Sequence, residues 1–212
     1  MSANHAAFNL IFRFVENYVS PIAGRISSQR HVMAIRDGFI SAMPFMIVGS
    51  FLLVFAYPPF SPDTTWGFAR AWLDMAKQFE GQILTPFDMT MGIMSIYICA
   101  AIAYNLGKHY VKSHQLDPFM CAMLSLMAFL LVAAPKTNGT LPVDSLGGTG
   151  IFTAILVAVY CVELMRFLKT YNIGIRLPDQ VPPMIKNSFD LLIPVLVVVL
   201  TLYPLSLLIQ SE

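Results

Sequence analysis

Residues 38–57 read GFISAMPFMIVGSFLLVFAY, and this stretch decides the fold class. It contains no Asp, Glu, Lys, Arg or His. At the 1.5 Å rise of an α-helix it is about 30 Å long, which is the thickness of a bilayer's hydrocarbon core. Outward from it, four more stretches follow the same pattern. They are residues 89–106 (MTMGIMSIYICAAIAYNL), 119–134 (FMCAMLSLMAFLLVAA, the shortest), 150–168 (GIFTAILVAVYCVELMRFL) and 191–209 (LLIPVLVVVLTLYPLSLLI). Upstream, residues 5–26 place Phe8, Ile11, Phe12, Val15, Val19 and Ile22 at helical spacing, with Arg13, Glu16 and Asn17 on other faces. That pattern suits an amphipathic helix lying in the membrane interface, or one packed on the protein itself. The expected fold is an all-α integral membrane protein with about five transmembrane helices plus this N-terminal interfacial helix.

Composition agrees with this reading. Of 212 residues, 57% are apolar and 12% are charged, about half the charged share of an ordinary soluble domain. The mean hydropathy is +0.67. A formal net charge of +1 gives no electrostatic basis for nucleic-acid binding. No short apolar region follows a basic start, so the first span is expected to act as its own insertion signal.

Orientation follows from the distribution of cations. Of 13 Lys and Arg, ten fall on one side if the five spans alternate: Arg13, Arg25, Arg30, Arg36, Lys108, Lys112, Arg166, Lys169, Arg176 and Lys186. Arg70, Lys77 and Lys136 fall on the other. The positive-inside rule then puts the N-terminus in the cytoplasm and the C-terminus outside. On the outer side, residues 58–88 open with a Pro-rich turn and carry Trp66, Phe68, Trp72, Phe79 and Phe87 among mixed charges. A short interfacial helix is expected near residues 64–80. Trp66 and Trp72 serve there as aromatic anchors, or alternatively stack on a sugar. On the inner side, residues 170–189 hold Pro178, Pro182 and Pro183, which stop a helix and stiffen the connection.

Little reactive chemistry is visible. Cys99, Cys121 and Cys161 all lie in apolar stretches without metal-ligand spacing and read as packing residues. His5, His31, His109 and His114 have no carboxylate at a spacing that suggests a triad or a metal site. No phosphate-binding glycine loop or metalloprotease motif occurs. No catalytic residue, metal site or cofactor is therefore expected. Glu163 is the intramembrane charge that calls for an explanation. Arg166, three residues later on the same helix face, gives it an ordinary partner at the interface. Gly147 and Gly148 open the fourth span, where free backbone N–H groups suit either a polar sugar or a tight turn. Asn138 and Gly139, in the turn just upstream, are further candidates for sugar contact. Ala100, Ala101, Ala103, Ala122 and Ala128 provide small faces for close helix packing, and a homodimer is expected through such faces.

Several of these stretches resemble a known family. The clearest is the run Arg176, Leu177, Pro178, Asp179, Gln180, Val181 and Pro182, followed by Ser188, Phe189, Ile193 and Pro194. His31 and Val32, Ala34 and Ile35, Gly38 to Ile40 and Pro44 match at the first span; Gly92 to Ser95 match at the second; Leu146 to Gly148 match at the fourth. In order and over nearly the whole chain, they resemble the membrane-embedded IIC subunit of the phosphotransferase system, lactose/cellobiose/N,N'-diacetylchitobiose family. The resemblance implies a dimeric carrier in the cytoplasmic (inner) membrane that takes a β-linked disaccharide from outside. It also implies cytoplasmic IIB and IIA partners that deliver the phosphoryl group. In that family the N-terminal helices form most of the dimer contact, and a His and a Glu in the C-terminal half stand near the reacting sugar hydroxyl. Residues 1–212 match the N-terminal, dimerising half only. A separate C-terminal half therefore joins the expected partners. The alternative expectation is a non-transporting dimerisation or assembly partner, or a remnant of such a permease.

Overall fold

The computed structural model describes residues 20–134, 142–175 and 180–210. The regular elements within them are helical: α1 (Ser20–Ser27), α2 (Arg30–Ala56), α3 (Gly67–Asp88), α4 (Met94–His114), α5 (Pro118–Ala133), a 3-10 turn (Gly148–Gly150), α6 (Ile151–Thr170), α7 (Pro183–Asp190) and α8 (Leu192–Gln210). The amphipathic helix expected over residues 5–26 meets the described residues only in α1; residues 1–19 lie outside them.

All five predicted spans coincide with helices, with shifted ends. α2 starts at Arg30 rather than at residue 38, because the polar residues of its first turn find partners on neighbouring helices. α4 starts at Met94 rather than at residue 89. The amides of Thr90 and Gly92 both turn back to the Phe87 carbonyl at 3.0 Å, which closes a turn before the helix begins. The outer helix α3 is longer than expected and bends at Phe79, whose φ of −111° and ψ of 15° leave the helical region. α7 occupies part of the inner connection that had been read only as a proline-stiffened loop. It opens on Pro183, at a position where a missing N–H leaves no helical bond unmade. α5 has a well-made start: the Asp117 carboxylate accepts from the amides of Phe119 (2.8 Å) and Met120 (3.3 Å), and Pro118 follows it.

Among the described residues, three stretches are long and apolar enough to cross a membrane: Arg30–Ala56, Gly148–Thr170 and Ser188–Leu208. α5, with 16 residues, is shorter, at about 24 Å. α4 falls short in apolarity for a different reason: it is enclosed by protein. It packs against α2, α5 and α6 at once, and Ile98, Cys99, Ile102, Ala103 and Leu106 are fully buried. A helix wrapped by others can carry polar groups that a lipid-facing helix cannot. Accordingly, the Asn105 side chain bonds back to the Ala101 carbonyl (2.9 Å).

Small residues make this enclosure possible. A Cβ on Gly38 of α2 would collide with the side chain and backbone of Ile102, so the two helices touch at van der Waals distance there. Ala103 and Ala128, expected on a dimer face, are instead fully buried within this chain's own bundle. By contrast, α2 and α8 turn large apolar side chains outward, among them Phe51, Val54, Leu196 and Leu200.

Candidate functional site

Two places bring the sequence candidates together, one at each end of α4. At the N-terminal end, the loop before α6 folds over the start of α4. The Ser95 amide donates to the Leu146 carbonyl (3.0 Å), and the Ser95 hydroxyl donates to the Gly147 carbonyl. A Cβ on Gly147 would meet the Gly92 carbonyl oxygen at 2.9 Å, so glycine is required by close approach of two backbones. Gly148 is exposed and begins the 3-10 turn. Neither α4 nor the 3-10 turn has a side-chain cap. Thus Gly147 is engaged in packing, and Gly148 keeps an open surface. Asn138 and Gly139 lie outside the described residues.

At the other end of α4, Glu163 gathers three helices. Its Oε2 accepts from Arg166 Nη1 (2.7 Å), the pairing expected from the i,i+3 spacing. Its Oε1 accepts from the Tyr110 hydroxyl of α4 (2.7 Å) and faces His31 Nε2 of α2 (2.9 Å). Arg166 Nη1 also reaches the Tyr110 oxygen (3.3 Å), and the Arg30 and Arg166 guanidinium groups lie 5.7 and 4.9 Å from the Tyr110 ring centre. The Tyr110 ring is buried, whereas His31, Glu163 and Arg166 are partly open to solvent. Both carboxylate oxygens are thereby satisfied by donors, and the cluster ties α2, α4 and α6 together. His31 lies 132 residues from Glu163 in sequence, and Tyr110 lies 53 away, so no local spacing could join them. The available signal was a polar residue at the same end of each of three neighbouring helices.

The motif before α8 is partly described. Leu177, Pro178 and Asp179 lie outside the described residues. Val181 is half-buried, and the Pro182 carbonyl accepts the first amides of α7, from Ile185 (3.0 Å) and Lys186 (3.1 Å). Ser188 and Phe189 sit near the end of α7, both exposed. Asp190 forms an ion pair with Lys169 of α6. Beside that pair is a cleft of about 300 Å³, lined in part by Met165, Leu168, Ile173 and Lys186. Among the described residues, no three His, Cys, Asp or Glu side chains converge as metal ligands.

A lipid-suited helical bundle, with a glycine-dependent turn and a charged tie at opposite ends of one enclosed helix, marks an integral membrane protein. The family model for "Phosphotransferase system, EIIC" matches residues 36–211, and the chain belongs to that family. It is 36% identical over 206 residues to the PTS system cellobiose-specific EIIC component of Geobacillus stearothermophilus, covering 88% of this chain and 43% of that protein. It is 32% identical over 220 residues to the lichenan permease IIC component of Bacillus subtilis, covering 96% of this chain and 46% of that protein. Among solved structures it is similar to the transporter ChbC, the IIC component from the N,N'-diacetylchitobiose-specific phosphotransferase system. The TM-score is 0.76 at 33% identity, over 94% of this chain and 48% of that one. The chain thus spans less than half the length of these relatives.

Proposed function

We propose that this chain is the N-terminal scaffold half of a sugar-specific IIC permease, taking part in phosphoryl-coupled uptake of a β-linked disaccharide such as cellobiose or N,N'-diacetylchitobiose. The observation that carries this reading is likeness to such permeases over nearly the whole chain, in sequence and in fold together. In this reading α2, α4, α5, α6 and α8 all cross the membrane, with the N-terminus cytoplasmic and the C-terminus outside. The subunit forms a homodimer and works with cytoplasmic IIB and IIA components and with a sugar-contacting C-terminal half. Gly148, Asn138 and Gly139 approach the sugar from the scaffold side, and Glu163 ties the scaffold without touching the sugar. The run from Leu177 to Phe189 forms the inner link into α8.

A second reading, a membrane assembly partner that carries no sugar, is favoured by the engagement of Gly147 and Glu163 in internal packing. Sugar binding separates the two. Purified chain is titrated with cellobiose and with N,N'-diacetylchitobiose, alone and after co-expression with the C-terminal half of the Geobacillus relative. The transport reading expects saturable binding in the co-expressed pair, and phosphorylated disaccharide inside cells that also carry the IIB and IIA components. A stable pair that neither binds nor accumulates either sugar leaves the assembly reading standing.

A further inference from the structure

The outer helix α3 has an apolar arc wider than the surface it packs on. Ala69 and Ala76, seven residues apart, are buried where α3 lies against α2. Next to them on the helix surface, Phe68, Met75 and Phe79 form a second apolar row at spacings of seven and four, and all three are exposed. Arg70, Asp74 and Lys77 occupy the far side. Trp66, just before the helix, is 65% exposed, and Phe68 is 66% exposed. The two tryptophans are not equivalent. Trp72 is fixed by its indole N–H on the Phe55 carbonyl (3.2 Å) and ringed by Phe55, Phe60 and Phe68 at 5.7 to 6.0 Å. Trp66 touches Phe60 and Phe68 by its edge and is otherwise open.

We propose that the row Trp66, Phe68, Met75 and Phe79 is a lipid-docking face that seats α3 in the headgroup region of the leaflet where α2 ends, while Trp72 is a purely internal strut. Three observations select lipid as the occupant. The row is continuous with the outward apolar surface of the last turns of α2, where Phe51, Val54 and Phe55 are exposed on a membrane-crossing helix. Arg70, Asp74 and Lys77 stand on the opposite side of α3, as in helices that lie in an interface, and the Glu80 carboxylate is taken up by the Tyr57 hydroxyl (2.9 Å). The area is also small. Side chains of this size offer about 150–250 Å² each, and these four expose roughly half of that. The row alone falls well short of the about 800 Å² per partner that a stable protein interface uses, and the α2 surface it joins lies on a membrane-crossing helix, whose neighbour is lipid.

The chain has only two tryptophans, so their fluorescence reports on the proposal directly. The full chain is reconstituted in phosphatidylethanolamine/phosphatidylglycerol vesicles containing phosphatidylcholine brominated either high on the acyl chain or at its middle. Wild type is compared with Trp66→Phe, and the Trp66 signal is taken by difference, with Trp72 itself left in place. Trp66 emission is expected to be at least halved by the shallow bromines, less affected by the deep ones, and barely reached by aqueous iodide. Trp72 emission in Trp66→Phe should respond weakly to all three. Phe68→Glu, which also borders Trp72 and is therefore read by difference from Phe68→Glu/Trp66→Phe, with helix content checked by circular dichroism, should shift Trp66 emission to the red and open it to iodide. Strong iodide quenching of wild-type Trp66 without lipid quenching overturns the proposal in favour of water. Protection from both quenchers that disappears when the protein is diluted to monomers overturns it in favour of a second copy.

Discussion

Replacing Glu163 by Ala tests whether the charged tie holds the bundle. The substitution leaves the buried Tyr110 hydroxyl without its carboxylate acceptor and removes the facing groups of His31 and Arg166. A buried donor left unpaired costs about 1–3 kcal/mol. The His31 and Arg166 contacts involve side chains 43% and 39% exposed, so solvent screening holds each to about 0.2–1 kcal/mol. The sum is about 1.4–5 kcal/mol, with Tyr110 the largest contribution. For a chain of this size it lowers the midpoint of thermal unfolding by roughly 3–20 °C. The assay is thermal unfolding in mild detergent of wild type, Glu163→Ala, Tyr110→Phe and the double variant at one heating rate. If the carboxylate acts through the hydroxyl, Tyr110→Phe should be nearly silent in the Glu163→Ala background, with a coupling of at least about 1 kcal/mol. Additivity within about 0.3–0.5 kcal/mol would falsify the argument, because contacts that share no partner add.

Three further outcomes are expected. Gly38→Ala should destabilise by at least about 1–3 kcal/mol, read as lost monodispersity in size-exclusion chromatography, with partial recovery in Gly38→Ala/Ile102→Ala; the new methyl meets Ile102 backbone as well as side chain. Cys99, Cys121 and Cys161 are buried, so a membrane-permeant maleimide should label none of them in the native protein and all three after denaturation in dodecyl sulfate. Lys169→Met should raise hydrogen exchange in α7 more than in α6, because the Lys169–Asp190 pair is a link from α7 to the bundle, whereas α6 is held along its length by α4 and α5.

The legible part of the fold was whatever lipid imposes. A helix that must satisfy its own backbone in an apolar medium announces itself by length and hydropathy, and residues 150–168 and 191–209 correspond to α6 and α8 almost end to end. What could not be read was set by other helices. α2 begins at Arg30 because its first turn meets α6 through His31 and Glu163 and α4 through Arg30 over the Tyr110 ring, pairings with no trace in local sequence. The small residues of α4 and α5 promised close packing, but nothing in their spacing says whether the partner helix belongs to the same chain. Ala103 and Ala128 turned inward. At the site, Glu163 stood out as a charge in an apolar run, and Arg166 was recognisable beside it. Tyr110 was hidden because an aromatic near a helix end is ordinary in a membrane protein.

The placement of these features bears on how the bundle can move. α4 is pinned at both ends: Ser95 is bonded to Leu146 and Gly147, and Tyr110 is bonded to Glu163. Between these points Gly38 on α2 and Gly107 against Cys121 of α5 bring the helices into near backbone contact. Interdigitated cores of this kind are bistable at best and do not deform continuously, so α2, α4, α5 and α6 move as one body. α8 is held differently. It touches α5 and α6 over a limited stretch, buries Val198 and Ser206, and contributes one side-chain bond, Thr201 to Tyr160 at 2.7 Å. A closely packed four-helix body with a less enclosed fifth helix fits the proposed scaffold role, a frame against which something else moves. On these grounds the scaffold reading predicts that motion is concentrated at the α7–α8 link. Spin labels on α8 should broaden in distance to α4 relative to a pair on α2 and α6, and equal widths would place the hinge elsewhere.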